Sequence, residues 1–206
     1  MDVFEAMLKM RAMRRLKPDP VPDELITEVI AYGTHAPTGG NAQGWRFVVV
    51  TDAALRGKIG EYYRQAVDFY LARVNTEPLP HQPRDEWERL IKSVRWQGDH
   101  VGEAPVLVFP CLASVRATLA HPTYGRAMNG SIWPAVQNLL LACRAKGLGA
   151  TLTTLHLSHE KEIDALLGLP EDAATFAMIP IGWPLGKFGL TKRLAVDDVI
   201  GWNGWA

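Results

Sequence analysis

Residues 11–15 place three guanidinium groups within five consecutive positions, at Arg11, Arg14 and Arg15. A guanidinium presents paired N–H donors whose geometry suits phosphate and carboxylate oxygens, so this segment could bind an anionic group of a ligand. Taken alone, the same residues also fit a solvated run of surface charge. The segment therefore indicates a binding site only in combination with other parts of the sequence.

A second segment, residues 36–45, reads Ala-Pro-Thr-Gly-Gly-Asn-Ala-Gln-Gly-Trp. Its adjacent glycines allow a ligand to approach the backbone closely, and Thr38, Asn41 and Gln43 offer hydrogen-bonding groups. The segment lies between a predicted helix and a predicted strand, where a ligand site is common. A plain surface turn is the alternative interpretation.

The third segment, residues 147–154, connects a predicted buried helix to a predicted core strand. It begins Gly-Leu-Gly and ends on Thr153 and Thr154, whose hydroxyl groups could contact a ligand. Threonine is also common in strands, so this pattern alone fits an ordinary core strand equally well.

Signatures of several other chemistries are absent from the sequence. No Gly-x-Gly-x-x-Gly follows a strand, and there is no P-loop, no Gly-x-Ser-x-Gly elbow and no His-Glu-x-x-His. His156 and His159 could in principle share a metal, but no third ligand lies nearby, so no metal site is predicted. Cys111 and Cys143 are far apart in sequence and are expected to be buried, reduced thiols.

The spacing of apolar residues predicts the elements that position these segments. Asp52 is expected to cap a helix, and Gly147 to end another in the left-handed conformation. Pro134 is expected in the first turn of its helix or at a kink. Residues 75–85 contain three prolines and are expected to form a loop. The predicted helices cover 3–10, 22–36, 53–69, 85–101, 131–146 and 159–167, and the predicted strands cover 45–50, 106–109, 150–155 and 176–181.

Composition and charge exclude several classes of protein. The 206 residues are 48% hydrophobic and 21% charged, and 22 Lys and Arg balance 22 Asp and Glu. This ordinary globular composition gives no indication of nucleic acid or a membrane as partner. No apolar run reaches the ~20 residues that span a bilayer, and the first residues lack a secretory signal. Helices and strands mix without βαβ alternation, so we expect a cytoplasmic α+β protein with one domain over 1–206.

In their order and separation, the three segments resemble the FMN-dependent nitroreductase family. The resemblance continues through Gln-Asn-Leu-Leu-Leu-Ala at 137–142, Ile-Pro-Ile-Gly-Trp-Pro at 179–184 and Lys-Arg at 192–193, and it covers nearly the whole chain. The terminal Trp-Asn-Gly-Trp is similar to an actinobacterial-type nitroreductase branch, and the chain also resembles the iodotyrosine deiodinase branch. The resemblance implies a nitroreductase-like fold with a central, mainly antiparallel sheet flanked by helices. It also implies an intertwined homodimer with FMN at the interface.

The resemblance implies which residues contact FMN. Arg11 and Arg193 match arginines that bind the FMN phosphate, and Arg14 matches a cation beside N1 and O2 of the flavin ring. The turn at 36–45 matches one that lies along the ring, typically from the partner subunit. Thr153 and Thr154 match residues near N5. The implied FMN-binding residues are Arg11, Ala12, Met13, Arg14, Pro37, Thr38, Gly39, Asn41, Gln43, Leu152, Thr153, Thr154 and Arg193.

The chemistry implied by the resemblance is a ping-pong reduction that uses NAD(P)H as electron donor. A nicotinamide delivers hydride to flavin N5 and leaves, and an electron-poor acceptor then takes its place. No side-chain nucleophile or general base is needed, so no catalytic side chain is assigned. One departure from the family concerns Ala12, because many members have a serine there; only the backbone of this position is left for a contact.

The lid of the deiodinase branch recognises a zwitterionic amino acid through a glutamate, a tyrosine and a lysine. This chain keeps Tyr70 but has Ala66 and Gly98 at the other two positions. A bound zwitterion would leave both of its charges unpaired, which favours a neutral nitroaromatic or quinone as acceptor. The side chains expected to stack on such an acceptor are Phe69, Tyr70 and Trp96.

Three alternatives stay open on the same scaffold. They are a reductive dehalogenase-like flavoenzyme, a flavin-binding or storage protein with little turnover, and a flavin-fragmenting enzyme of cobalamin-ligand synthesis. Bleaching of the flavin by NAD(P)H favours an enzyme over a storage protein. Loss of FMN in air after reduction is the mark of the fragmenting enzyme.

Overall fold

A computed structural model describes residues 1–73 and 77–205 of the chain. Its centre is an antiparallel sheet in the order β1-β2-β5-β3, with β4 paired to β2 beside β5. The strands are β1 (Trp45–Val50), β2 (Val106–Leu112), β3 (Gly149–Ala150), β4 (Ala174–Thr175) and β5 (Ile179–Gly182). The helices are α1 (Val3–Lys9), α2 (Asp23–Thr34), α3 (Ala53–Arg73), α4 (Arg84–His100), α5 (Arg116–Leu119), α6 (Pro122–Ala145) and α7 (Glu160–Leu167).

Strand β2 is buried along its whole length and separates two apolar cores. Because successive side chains of a strand point to opposite faces, Val106 and Val108 enter one core while Leu107 and Phe109 enter the other. Helix α6 covers the first core and helix α3 covers the second. The buried side chains that these helices contribute are Ile132, Val136 and Leu139 from α6, and Ile59, Tyr63 and Val67 from α3.

Most predicted elements are confirmed within a few residues. Helix α3 begins after Asp52, whose Oδ1 accepts from the backbone N–H of Leu55 at 2.7 Å. Gly147 follows α6 with a φ of 78°, which is the left-handed conformation expected of a helix-ending glycine. Residues 77–83 lie outside helices and strands, as expected for the loop, while positions 75–76 lie outside the described residues.

The predicted start of the long helix at 131 is wrong. Helix α6 begins at Pro122, and the Nδ1 atom of His121 accepts from the backbone N–H groups of Thr123 and Tyr124. Pro134 therefore lies in the interior of the helix and not in its first turn. The added turns pack against the short helix α5, a contact between elements that local residue spacing does not reveal.

The two C-terminal strands are shorter than predicted. Instead of 150–155, regular pairing covers only Gly149–Ala150 in β3, followed by an isolated bridge between Thr153 and Met178. Leu155–His159 forms a 3-10 helix, so no strand continues beyond this bridge. Instead of 176–181, the chain forms β4 and β5, because residues 176–178 lie between the two paired stretches. Within the described residues, no helix has the length and apolar character to cross a membrane.

Candidate functional site

The arginine segment 11–15 borders a hollow of about 400 Å3. The backbone N–H of Met13 donates to the carbonyl of Ala150 at 2.9 Å, and the Met13 side chain is buried, so the segment is attached to the edge of the sheet at β3. The hollow is strongly cationic and has one aromatic wall. Its lining residues are Arg11, Ala12, Met13, Arg14, Arg15, Ser93, Trp96, Leu185, Gly186 and Lys187.

Arg14 is the half-buried cation of this hollow. No ion pair within residues 1–73 and 77–205 includes its guanidinium. Burial lowers the pKa of Arg14 below its usual range, the nearby charge of Arg11 adds to this, and Tyr63 and Tyr70 oppose it. A desolvated cation that lacks a carboxylate partner is suited to an anionic or electron-rich ligand group.

Thr153 lies at the end of the paired stretch that begins with β3. Its backbone N–H donates to the Met178 carbonyl at 3.0 Å, and its own carbonyl accepts from the Met178 N–H at 2.9 Å. Its Oγ1 accepts from the Tyr63 hydroxyl at 3.1 Å and from the backbone N–H of Leu155 at 3.4 Å. The neighbouring Leu152 and Thr154 are exposed. The structure therefore holds Thr153 firmly and leaves the two flanking side chains accessible.

The turn at 36–45 contains residues in the left-handed backbone conformation, as its glycines and amide side chains indicate. Gly40, Asn41 and Gln43 all have a positive φ, at 58°, 54° and 51°. The backbone N–H of Gln43 donates to Thr38 Oγ1, and the N–H of Gly39 donates to Ser131 Oγ on α6, both at 3.2 Å. The turn is thus anchored to α6, whereas the arginine segment is anchored to β3.

Arg193 lies apart from the arginine hollow. It is exposed, and it lines a separate hollow of about 570 Å3 together with His81 and Lys192. Lys192 forms an ion pair with Glu86, and the Arg193 guanidinium donates to the carbonyl of Lys192. Gly189, which precedes Arg193 by four residues, lies next to the Arg11 side chain. Within one chain, therefore, Arg11 and Arg193 lie in neighbouring regions but do not line one pocket.

The three predicted stacking residues lie in different surroundings. Trp96 lines the arginine hollow, where its ring stacks on His100 at 4.3 Å between centroids and has the Arg15 guanidinium 5.9 Å from its centre. Tyr70 is half-buried and close enough to Arg14 to affect its pKa. Phe69 is exposed and packs against the guanidinium of Arg73 at 4.8 Å. Trp96 and Tyr70 are thus placed beside the arginine segment, and Phe69 is not among the residues that line its hollow.

Several residues of the site were not predicted from the sequence. Tyr63 lies on an apolar helix face, and only the fold reveals that its hydroxyl reaches Thr153. Lys187 adds a cation to the hollow from the segment after β5. Ser131 holds the glycine turn. No local pattern marks these residues, because each acts through a contact with a distant part of the chain.

His156 and the two cysteines belong to the cores. His156 is fully buried, and its Nε2 lies 3.2 Å from Thr175 Oγ1, while His159 packs on the ring of Tyr62. No cluster of metal-ligating side chains occurs in the part of the chain that the structure describes. Cys111 and Cys143 are buried free thiols, and burial raises the pKa of each to about 12.

The donor set of the arginine hollow suits a flavin mononucleotide. The Arg14 guanidinium, which has no ion-pair partner in the described residues, and the cations of Arg11 and Lys187 match a phosphate and an electron-rich ring edge. Trp96 and Tyr70 provide aromatic surface for a flat ring system. The set offers no carboxylate or thiolate that would favour a metal ion instead.

Known proteins share both the sequence pattern and the fold. Residues 8–183 match the nitroreductase family. The chain is 28% identical to an NADH dehydrogenase of Thermus thermophilus, over 98% of this chain and 97% of that protein. It is 30% identical to a 5,6-dimethylbenzimidazole synthase of Rhodospirillum rubrum, over 98% of this chain and 90% of that protein. It superposes with a TM-score of 0.76 on iodotyrosine deiodinase bound to FMN and 3-iodo-L-tyrosine, covering 99% of this chain and 100% of that one at 24% identity.

Proposed function

Because the chain belongs to the nitroreductase family, we propose that it is an FMN-dependent oxidoreductase that uses NAD(P)H to reduce nitroaromatic or quinone-type acceptors. The observation that carries this proposal is Arg14, a half-buried guanidinium with no carboxylate partner in the described chain, in a hollow walled by Trp96. A relative named as an NADH dehydrogenase and a structural neighbour bound to FMN support the same conclusion. We propose that residues 1–206 form a single FMN-binding domain.

The residues of the chain bind and orient the cofactor in this proposal. Bound FMN supplies the atom that accepts hydride, flavin N5. Arg11 and Lys187, which line the same hollow, hold its phosphate, whereas Arg193 lines a separate hollow; Arg14 places a positive charge where electron density increases on reduction. Thr153 would contact N5 through its hydroxyl, because the backbone groups of this residue are already paired with Met178. No side chain takes part covalently.

We propose that the protein works as a homodimer with FMN at the interface. Apolar surface that a monomer would leave in water supports this: Phe4 of α1 is 73% exposed, and Trp202 and Trp205 are 86% and 103% exposed. Next to α1, a hollow of about 450 Å3 is lined by Val3 and by Leu141 of α6. Large apolar side chains exposed in this way are typical of a protein interface. The partner's glycine turn at 36–45 then completes each site, since within one chain this turn is anchored to α6.

Deleting residues 196–206 should weaken the dimer and reduce its flavin content. Burial of two tryptophans is a large part of an interface, so we expect the dissociation constant of the dimer to rise at least about tenfold. Sedimentation velocity over a range of concentrations measures this, and the absorbance ratio of flavin to protein gives the occupancy. The matched control is Asp197→Asn with Asp198→Asn, which changes charge in the same segment and keeps the apolar area. An FMN-loaded monomer at micromolar concentration would contradict the proposal.

The contact between α3 and α4 favours a neutral acceptor over a zwitterion. Ala66 is buried, and a Cβ added at Gly98 would lie 2.9 Å from Val67 Cγ1, so both positions belong to a tight helix–helix contact. Neither position supplies the charge that deiodinases use to bind an amino acid. Leaving an ammonium and a carboxylate unpaired in a partly desolvated site costs on the order of several kcal/mol, and a flat neutral aromatic avoids this cost.

The experiment that tests the function is a spectral titration of the purified protein. We expect FMN, released on denaturation, and bleaching of its absorbance by anaerobic NADH or NADPH, followed by re-oxidation with a quinone or nitroaromatic. Iodotyrosine should perturb the flavin spectrum weakly at most. Tight binding of iodotyrosine without quinone turnover would move the chain to the dehalogenase-like alternative. FMN that NAD(P)H does not bleach would indicate storage, and loss of FMN in air after reduction would indicate flavin fragmentation.

A further inference from the structure

Tyr63 lies in the middle of α3, and its ring is 1% exposed. Its hydroxyl lies 3.1 Å from Thr153 Oγ1, which is its hydrogen-bond partner among the described residues. A buried phenol that donates to nothing leaves an unsatisfied polar group, which is rare in folded proteins. The contact between Tyr63 and Thr153 is therefore a fixed feature of the second core.

The hydrogen bond runs from Tyr63 to Thr153, because Thr153 Oγ1 is the acceptor that the buried phenol has among the described residues. A guanidinium has N–H donors and no acceptor, so Tyr63 cannot donate its proton to Arg14. Burial raises the pKa of Tyr63, and the hydrogen bond to Thr153 and the Arg14 charge oppose this. The phenol therefore keeps its hydrogen, which is directed to Thr153.

Thr153 then has one group left to offer a ligand. Its Oγ1 accepts from Tyr63 at 3.1 Å and from the Leu155 N–H at 3.4 Å, which uses both lone pairs of the hydroxyl. Its backbone N–H and carbonyl are both paired with Met178. The hydroxyl hydrogen is the remaining donor, and it must point away from Tyr63 and Leu155.

We propose that Tyr63 is a positioning residue that fixes the Thr153 hydroxyl as a hydrogen-bond donor to N5 of bound FMN. This inference rests on the proposed function, which places N5 at Thr153. Oxidised N5 carries a lone pair and accepts a hydrogen bond, whereas reduced N5 carries a hydrogen of its own. A fixed donor therefore favours the oxidised form, so Tyr63 lowers the reduction potential of the flavin.

The test measures the potential of bound FMN in Tyr63→Phe, by spectral titration against a redox dye. Without the phenol hydroxyl, Thr153 can rotate and accept from reduced N5, so we expect the equilibrium constant for reduction to rise about tenfold, which is about 30 mV for a two-electron couple. Tyr62→Phe is the matched control, since Tyr62 is the neighbouring tyrosine of α3 and packs on His159. Its potential should equal that of the wild type.

A second pair of variants shows whether Tyr63 acts through Thr153. Thr153→Val removes the donor and should itself raise the potential, whereas Thr153→Ser keeps the hydroxyl and the wild-type value. Adding Tyr63→Phe to Thr153→Val should change nothing further, because no hydroxyl is left to orient. Adding Tyr63→Phe to Thr153→Ser should raise the potential by the full amount that Tyr63→Phe causes alone.

The outcomes separate this inference from the proposed function. If the purified protein binds no FMN, the proposed function fails. If FMN binds and Tyr63→Phe leaves the potential unchanged, or shifts it equally in the Thr153→Val background, the inference is wrong and the proposed function stands. Should Tyr63→Phe fold without retaining FMN, the comparison of Thr153→Val with Thr153→Ser decides: equal potentials would mean that Thr153 donates nothing to N5.

Discussion

Arg14→Met should lower the affinity for FMN about 100-fold while leaving the apoprotein as stable as before, or more stable. The loss of affinity follows because a hydrogen bond to a charged group contributes about 1.5–3 kcal/mol. The opposite effect on stability follows because burial already lowers the pKa of this guanidinium and no carboxylate in the described residues pairs with it. Methionine keeps most of the apolar volume of the side chain and removes the desolvated charge.

Two measurements on one set of proteins check this expectation. Equilibrium titration of apoprotein with FMN gives the affinity, and thermal unfolding of the same apoprotein gives the stability. Arg15→Met is the matched control, because Arg15 lines the same hollow but is exposed and lies over Trp96. It should change the affinity less than tenfold. A loss of apoprotein stability in Arg14→Met, or equal losses of affinity in the two variants, would show that Arg14 has a structural role instead.

Sequence patterns predicted those helices and strands whose ends depend on residues nearby in the sequence. Helix α3 starts where Asp52 caps it, and β1 coincides with a run of β-favouring residues at 45–50. The first turns of α6 depend instead on a neighbour in space. A Cβ at Gly125 would lie 2.5 Å from the Leu119 carbonyl, so this glycine permits close packing against α5. Read from the sequence, the same glycine suggests a helix break.

The three segments of the candidate site could be predicted from the sequence, but their positions relative to one another could not. Polar residue types and glycines identified the arginine segment and the glycine turn, and the resemblance supplied their order. The role of Tyr63 was hidden, because it lies four residues from both Ile59 and Val67 on an apolar helix face, and its partner is 90 residues away in sequence. No sequence pattern showed that Arg11 and Arg193 line different hollows, because this depends on the path of the chain after β5. The nitroreductase fold itself is confirmed by the family match and by the superposition.

A network of polar side chains supports the segment that carries Thr153. The ring of His156 packs edge-on against Phe109 at 5.8 Å between centroids, and its Nε2 lies 3.2 Å from Thr175 Oγ1. Thr175 in turn donates to Asp164, which forms an ion pair with Arg116. Arg116 also pairs with Glu160 at 3.0 Å. The network links the 3-10 helix after Thr153 to α7 and to β4.

His156 should make the protein less stable in mild acid. Burial lowers the pKa of His156 to about 4 in the folded chain, whereas an unfolded histidine titrates near 6.5. The unfolded chain therefore binds the extra proton between pH 6.5 and 4, so the contribution of neutral His156 is complete above that window and is lost as the pH falls through it. The loss amounts to about 3 kcal/mol in the free energy of unfolding. The pKa of Asp164 is raised by burial and by Glu160, which offsets part of the loss.

Urea unfolding of wild type, His156→Gln and His81→Gln at several pH values between 7.5 and 4.5 isolates this contribution. The protomer concentration has to be the same throughout, because dissociation of a dimer would add its own pH dependence. Glutamine at 156 keeps a hydrogen-bonding group near Thr175 and removes the titration, so its stability should vary less with pH than that of the wild type. His81 is exposed, and its replacement should leave the pH profile unchanged. If His156→Gln and the wild type lose stability in parallel as the pH falls, then His156 is not the group that resists protonation in the folded chain.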